Sequence, residues 1–523
     1  MKKYLLKYKK QNLFIFLLIF ITSSLSTFGA VIHMFAFDDL IAGDTRAFVQ
    51  WYILAFGIYG FYLTLGYFSG VYQEKITQKM TKDLRLDIVQ AIEKASFQQY
   101  MKNTSGDYIS WLSNDLNTIN QQGFKSFYGL VNVVCLTSIS MFTLLSLDSV
   151  ILLGTIGLSF LLIKAPVLLS QRVATALGKL TLQNGSFTSI LEDTLKGYET
   201  LFFLHRLSFI GKKVLQANEE LVEETIEYTK VATYVNKLIM GISILCQILI
   251  ILFTGLLVGF GRLTIGSMMT TGQLAGNVFN TLSQYSTFKV SIDSTKEIFK
   301  KFDDFIEKSS EPGFVYENED FNLNIQNLSY SNGERKIFER FDYVFEMNKK
   351  YLVTGASGAG KSTLLKLLSG VLSIQDGEVK IGNTTYINSE RQQKNPFISH
   401  VTQESYLFSD TIYNNITLGE DVDVERIKPI LNLLGLEKLV LDTLIDKTST
   451  NLSGGQKQRI NVARALLSQP KILLLDESTS NLDENNAKNI EQLIKNNEST
   501  VIYVTHRQTD NIHHGFDEHL HLG

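Results

Sequence analysis

A chain of 523 residues is too long for one ordinary domain, and a formal charge of −3 supplies no basic field of the kind a nucleic-acid binder needs. Hydrophobic residues make up 45% and charged ones 19%, but the average hides an asymmetry. Long apolar runs fill the stretch before Phe288, whereas the remainder alternates charged and apolar segments as a soluble domain does.

The start carries Lys2, Lys3, Lys7, Lys9 and Lys10 ahead of an apolar run from Leu13 to Phe35. A signal peptide begins in the same way, but this run is too long for a cleaved core and reads as a retained anchor. A spanning helix needs about 20 mostly apolar residues. Six segments qualify: Leu13–Phe35, Phe48–Tyr72, Phe127–Leu147, Val150–Ser170, Tyr234–Gly261 and Ile265–Phe288. Cys135 and Cys246 lie inside these runs without metal-ligand spacing. Lysines and arginines mark the cytoplasmic connections (Lys75, Lys79, Lys82, Arg85; Arg172, Lys179; Lys289, Lys296, Lys300, Lys301), while Asp38, Asp39 and Asp44 mark an outer one. Both termini are therefore expected in the cytoplasm.

Two inner connections, Gln73–Lys125 and Gln171–Thr233, are long and show helical periodicity, as in Leu84–Ile88–Ile92 and Leu191–Leu195–Tyr198. They are expected to be membrane helices that continue into the cytoplasm and reverse at short exposed helices, near Gly106–Asp115 and near Phe202–Ser208. The sixth segment holds Thr270, Thr271, Gln273, Asn277, Asn280, Thr281, Ser283 and Gln284. Lipid cannot satisfy so many polar groups, so the segment is expected to line a wet cavity, interhelical hydrogen bonding being the alternative. Lys164, a charge within an apolar span, either faces that cavity or snorkels to the headgroups.

Beyond a linker around Ser309–Gly313, strand patterns begin with Phe321–Tyr330. The strand Lys350–Thr354 runs into Gly355-Ala356-Ser357-Gly358-Ala359-Gly360-Lys361-Ser362-Thr363 and then a helix, the required setting of a P-loop. Its glycines let backbone N–H groups turn inward around phosphate, Lys361 reaches the β- and γ-phosphates, and Ser362 offers a hydroxyl to Mg²⁺. The apolar strand Lys471–Leu475 ends in Asp476, suited to Mg²⁺, and Glu477, suited to orienting an attacking water. Between them, Ser453-Gly454-Gly455-Gln456 opens a helix and offers a second anion-binding terminus.

Pattern and order resemble the ATP-binding cassette superfamily, and the whole chain resembles an exporter half-transporter. The resemblance implies a multi-domain fold: an all-α six-helix transmembrane domain over 1–308, a linker over 309–320 and an α/β P-loop NTPase domain over 321–523. It implies ATP and Mg²⁺ as ligands, with Gly355, Ser357, Gly358, Gly360, Lys361, Ser362 and Thr363 around the phosphates and Tyr330 stacked on adenine. Ser453, Gly455 and Gln456 would complete the ATP site of a second half-transporter. Gln403 would sense Mg²⁺ beside Ser362 and Asp476, His506 would contact the γ-phosphate, and Glu477 would drive hydrolysis. The stretch Leu407–Ile412 is similar to the exporter version, and Ser480–Asp483 matches the loop after the Walker B strand, with Asn481 where alanine is common. Asp446-Lys447-Thr448 departs from the family's Gly-Glu pair.

A homodimer in a bacterial cytoplasmic membrane, in contact with lipid and not with nucleic acid, is the simplest expectation, a heterodimer the other. The expected cargo is a peptide or peptide-like amphipathic molecule. Lipid or drug export, or an ATP-gated sensor without cargo, are the alternatives.

Overall fold

The computed structural model describes residues 1–309, 320–382, 384–388, 397–403, 405–445, 452–477, 484–505 and 515–523. By internal contacts the chain divides into two units, Met1–Gln90 with Ser105–Ile306, and Ala91–Thr104 with Glu307–Gly523.

The first unit is built on six long helices: α1 (Lys9–Ile41), α2 (Thr45–Lys94), α3 (Ser105–Leu147), α4 (Ser149–Lys196), α5 (Ser208–Gly259) and α6 (Ile265–Lys308). The six expected apolar segments fall on them in order, with only Phe260 and Gly261 beyond a helix end. By length and composition alone, α1, α2, α3 and α5 can cross a membrane; the apolar stretch described in α4, Ser149–Leu162, is shorter, and α6 is more polar. The 50 residues of α2 make a rod of about 75 Å, more than twice the ~30 Å hydrocarbon core. The excess is the continuation that the long periodic connections foretell. In α2 it buries Ile76, Met80, Leu84, Ile88 and Ala91 along one face.

The first reversal is not where the sequence suggests. Gly106–Asp115 lies inside α3, and the chain turns upstream, around the short helix Phe97–Met101. Ser96 decides this, because its side chain caps that helix by accepting from the Gln99 N–H at 3.2 Å. Tyr108 and Trp111 are instead drawn into an aromatic cluster with Phe302 and Phe305 of α6, the Trp111–Phe305 centroids lying 5.2 Å apart. Two segments of α3, Trp111–Asp115 and Ile119–Lys125, are wound as π-helix. The second reversal comes as expected, at the short helix Tyr198–Phe203.

The polar residues of α6 divide between two faces. Thr270 donates to the Ala30 carbonyl (2.8 Å), Thr281 pairs with Thr137 (2.8 Å) and Thr271 meets Thr254 (3.1 Å), all buried between helices. For these three, interhelical bonding replaces the expected wet cavity. Gln273, Asn280 and Gln284 stay exposed on the other face. Lys164 is also exposed.

The second unit contains two sheets. One is antiparallel, in the order β2 (Arg335–Phe345), β1 (Leu323–Asn332), β4 (Asp376–Ile381), β5 (Thr384–Asn388). The other is parallel, in the order β6 (Ile398–Val401), β7 (Ile472–Asp476), β8 (Thr500–Val504), β3 (Lys350–Gly355), β9 (Glu518–Leu522). Every residue of β7 and β8 is buried, as a strand covered on both faces requires. Their side chains alternate between two cores: Ile472, Leu474, Ile502 and Val504 enter one, Leu473, Leu475, Val501 and Tyr503 the other. Helices α7 (Lys361–Leu368) and α8 (Gly454–Leu467) pack on this sheet. The P-loop thus leaves the carboxyl end of β3, and Asp476-Glu477 leaves that of β7, with β8 between.

Candidate functional site

Three glycines shape the loop after β3. Gly355, Gly358 and Gly360 have φ of +150°, +82° and +95°. A Cβ on Gly355 would sit 2.2 Å from the Leu522 carbonyl oxygen, and one on Gly360 would sit 2.6 Å from Ile337 Cγ2. Only glycine meets both demands. Lys361 is buried and donates to the carbonyls of Gly355 and Ala356, each at 2.9 Å, so its ammonium lies within the loop. Arg335, from β2, donates to the Gly358 carbonyl at 3.0 Å. Ser357 is exposed and Thr363 half-buried.

The hydroxyl of Ser362 donates to Asp476 Oδ1 at 2.9 Å, joining the first turn of α7 to the end of β7. These are hard oxygen donors, and among the described residues no group of three or more His, Cys, Asp or Glu could hold a metal. One hydroxyl beside one carboxylate suits Mg²⁺, which keeps waters and takes phosphate oxygens as further ligands.

Glu477 follows with φ +48°, the left-handed region that non-glycine residues avoid. Its N–H donates to the Val504 carbonyl at 3.0 Å, and its own carbonyl accepts from Gln458 Nε2 at 2.9 Å. Its side-chain Oε2 accepts from Gln403 Nε2 at 2.9 Å. Lys361, Ser362, Asp476, Glu477 and Gln403 are therefore gathered at the carboxyl edge of the parallel sheet.

The other expected residues lie apart from this group. Tyr330 is half-buried on β1, opposite Phe338. Ser453 caps α8 in a reciprocal pair with Gln456: Ser453 Oγ accepts from the Gln456 N–H, and Gln456 Oε1 accepts from the Ser453 N–H. Ser453 is exposed, and Gly455 and Gln456 are half-buried. His506, Ser480–Asp483 and Asp446–Thr448 lie outside the described residues.

Three residues around this edge escape a reading of motifs: Arg335 and Gln458, which bond the main chain of the P-loop and of Glu477, and His400 on β6. The His400 Nδ1 lies 3.1 Å from Ser369 Oγ at the end of α7, while its Nε2 is shut off from solvent without a partner among the described residues. Burial, with Lys366 nearby, pushes its pKa down to about 4.

Residues 13–282 match the ABC transporter transmembrane region, and residues 338–480 match the ABC transporter family. The chain belongs to the ABC transporters. Its cassette is an ATPase coupled to transport, carried after a helical membrane domain. Among similar proteins is the microcin-J25 export ATP-binding/permease protein McjD of Escherichia coli, 27% identical over 526 residues, which span 94% of this chain and 88% of that one. The ATP-dependent lipid A-core flippase of Syntrophus aciditrophicus is 25% identical over 512 residues, 90% of this chain and 81% of that one. In fold the ABC transporter matches a bacterial Atm1-family ABC exporter solved with ATP bound, with a TM-score of 0.84 over 99% of this chain and 94% of that one, at 19% identity.

Proposed function

We propose that this ABC exporter works as a dimer of two copies and moves a peptide or peptide-like amphipathic substrate out across a bacterial cytoplasmic membrane. In this reading residues 1–308 form the membrane part, 309–320 the linker and 321–523 the cassette, with both termini in the cytoplasm. The observation that carries the dimer is the exposed, capped start of α8 at Ser453, a ready anion-binding terminus that makes no bond to the P-loop of its own chain. Ser453, Gly455 and Gln456 of one copy would meet the nucleotide held by Lys361 of the other.

Within each site the P-loop amides and Lys361 hold the phosphates, and Tyr330 lies against adenine. Ser362, Asp476 and Gln403 would hold Mg²⁺, which would supply positive charge to phosphate oxygens. The Glu477 carboxylate orients the attacking water and accepts its proton, with His506 at the γ-phosphate. Closing two cassettes on two shared nucleotides gives ATP the differential affinity needed to bias the membrane helices between inward and outward states.

A peptidic cargo is supported by the exposed polar row Gln273, Asn280 and Gln284 on an otherwise apolar bundle, and by the likeness to a microcin exporter. The likeness to a lipid A-core flippase supports a second reading, lipid export. Proteoliposomes separate the two. ATP-driven accumulation of an amphipathic peptide, with no translocation of labelled lipid, is expected; the reverse result sinks the peptide reading. Glu477→Gln is expected to lower steady-state ATPase by a factor of 100 or more, in line with ~10²–10⁴ for a positioned acid–base group, while ATP still binds.

A further inference from the structure

Gln458 belongs to no part of the ATP site assigned above, yet it is 2% exposed and reaches into that site from α8. Its Nε2 donates to the Glu477 carbonyl at 2.9 Å. The orientation of this amide is forced, because a carbonyl oxygen can only accept, so the nitrogen must face it. The other end, Oε1, is buried without a partner among the described residues. A buried acceptor left unpaired is destabilising, so packing alone favours an apolar side chain of this length.

What the amide holds is a backbone under strain. At φ +48°, Glu477 sits in the left-handed region, which costs a side chain bearing a Cβ relative to the right-handed one. Its conformation is pinned from both sides, by Val504 of β8 through the N–H and by Gln458 of α8 through the carbonyl. With the backbone so fixed, the carboxylate reaches Gln403. Gln458 also lies on the same rigid helix as Ser453, roughly 7 Å further along its axis at the usual rise per residue. A phosphate drawn onto the start of α8 would move that helix as a body and Gln458 with it.

We infer that Gln458 is a positioning residue for ATP hydrolysis, tying the helix that begins at Ser453 to the backbone of Glu477. The inference rests on the reading of Glu477 as the hydrolytic carboxylate. Because Ser453 faces the nucleotide held by the second copy, while Glu477 acts on the one held by its own, this bond links the two ATP sites. Occupancy of one site thereby sets the aim of the carboxylate in the other.

The test uses the full-length chain in lipid with Gln458→Glu, an isostere that lacks the donor, and Gln458→Met, an apolar equivalent. Both are expected to lower kcat at least tenfold while KM for ATP and equilibrium ATP binding stay within twofold. The double variant Ser453→Ala/Gln458→Met is expected to match the slower single variant, since both changes break one line of communication. The two single effects multiplying would overturn the inference, as would kcat within twofold of the parent or loss of ATP binding or folded yield in both variants. Glu477→Gln, run in parallel, keeps the two readings apart. If it retains turnover, the assignment of Glu477 fails; if it abolishes turnover while the Gln458 variants do not, only the Gln458 inference fails.

Discussion

Gly360 carries two demands at once: a φ of +95° and a gap too small for any side-chain carbon beside Ile337. The left-handed backbone alone costs a non-glycine residue roughly 1–2 kcal/mol, before Ile337 must move. Gly360→Ala is therefore expected to weaken ATP binding at least tenfold, as measured with a fluorescent nucleotide; unchanged affinity would show that the loop relaxes freely. Such positions are legible in a sequence because wrapping a backbone around phosphate leaves glycine as the sole choice. Lys361, Ser362, Asp476 and Glu477 are legible for a related reason, since each stands at a fixed place after a strand, whereas Gln403 is marked only by the family resemblance. The role of Gln458 is not legible, because its partner is a main-chain carbonyl, and every residue has one. Nor does the strained φ of Glu477 leave any mark on residue type.

Elements are legible where periodicity is long. All six apolar segments fall on long helices, and the strands before the P-loop and before Asp476-Glu477 fall where hydropathy puts them. The misplaced reversal at Gly106 shows the limit: a glycine is a permissive site for a turn, whereas a capping serine makes one, and Ser96 holds the chain where Gly106 does not. The short strand β6 has a pH dependence of its own through His400. Its folded pKa of about 4 lies below the ordinary value of 6.5, so the unfolded chain takes up the proton first. Stability is full above pH 6.5 and is lost progressively as pH falls toward 4. Denaturation midpoints of the full-length protein in detergent should fall over that window, and His400→Gln should flatten the fall. An acid limb untouched by the substitution would assign it to other groups.

At the scale of the whole molecule, the distribution of exposed apolar surface is the informative feature. The extension of α2 buries its periodic face within the chain, whereas Leu195, Tyr198, Phe202, Phe203 and Leu204, at the reversal between α4 and α5, are all at least half exposed. A soluble surface seldom gathers so many large side chains in one place without a partner. The dimer proposed above offers such a partner. Phe202→Ala/Phe203→Ala is accordingly expected to keep yield and ATP binding while abolishing substrate-stimulated ATPase; full stimulation would exclude the tip from coupling. The π-helical turns of α3 bear on a different matter, the chain's tolerance of length change. A π-turn houses one residue more than the α-turn it replaces, so deleting one residue from Ile119–Lys125 would tighten the coil and leave Ser126–Leu147 facing the same neighbours. Elsewhere in these long rods a single deletion would swing everything downstream by about 100°. In α3 the membrane unit carries a slack link, where a lineage can shorten the helix without misaligning it.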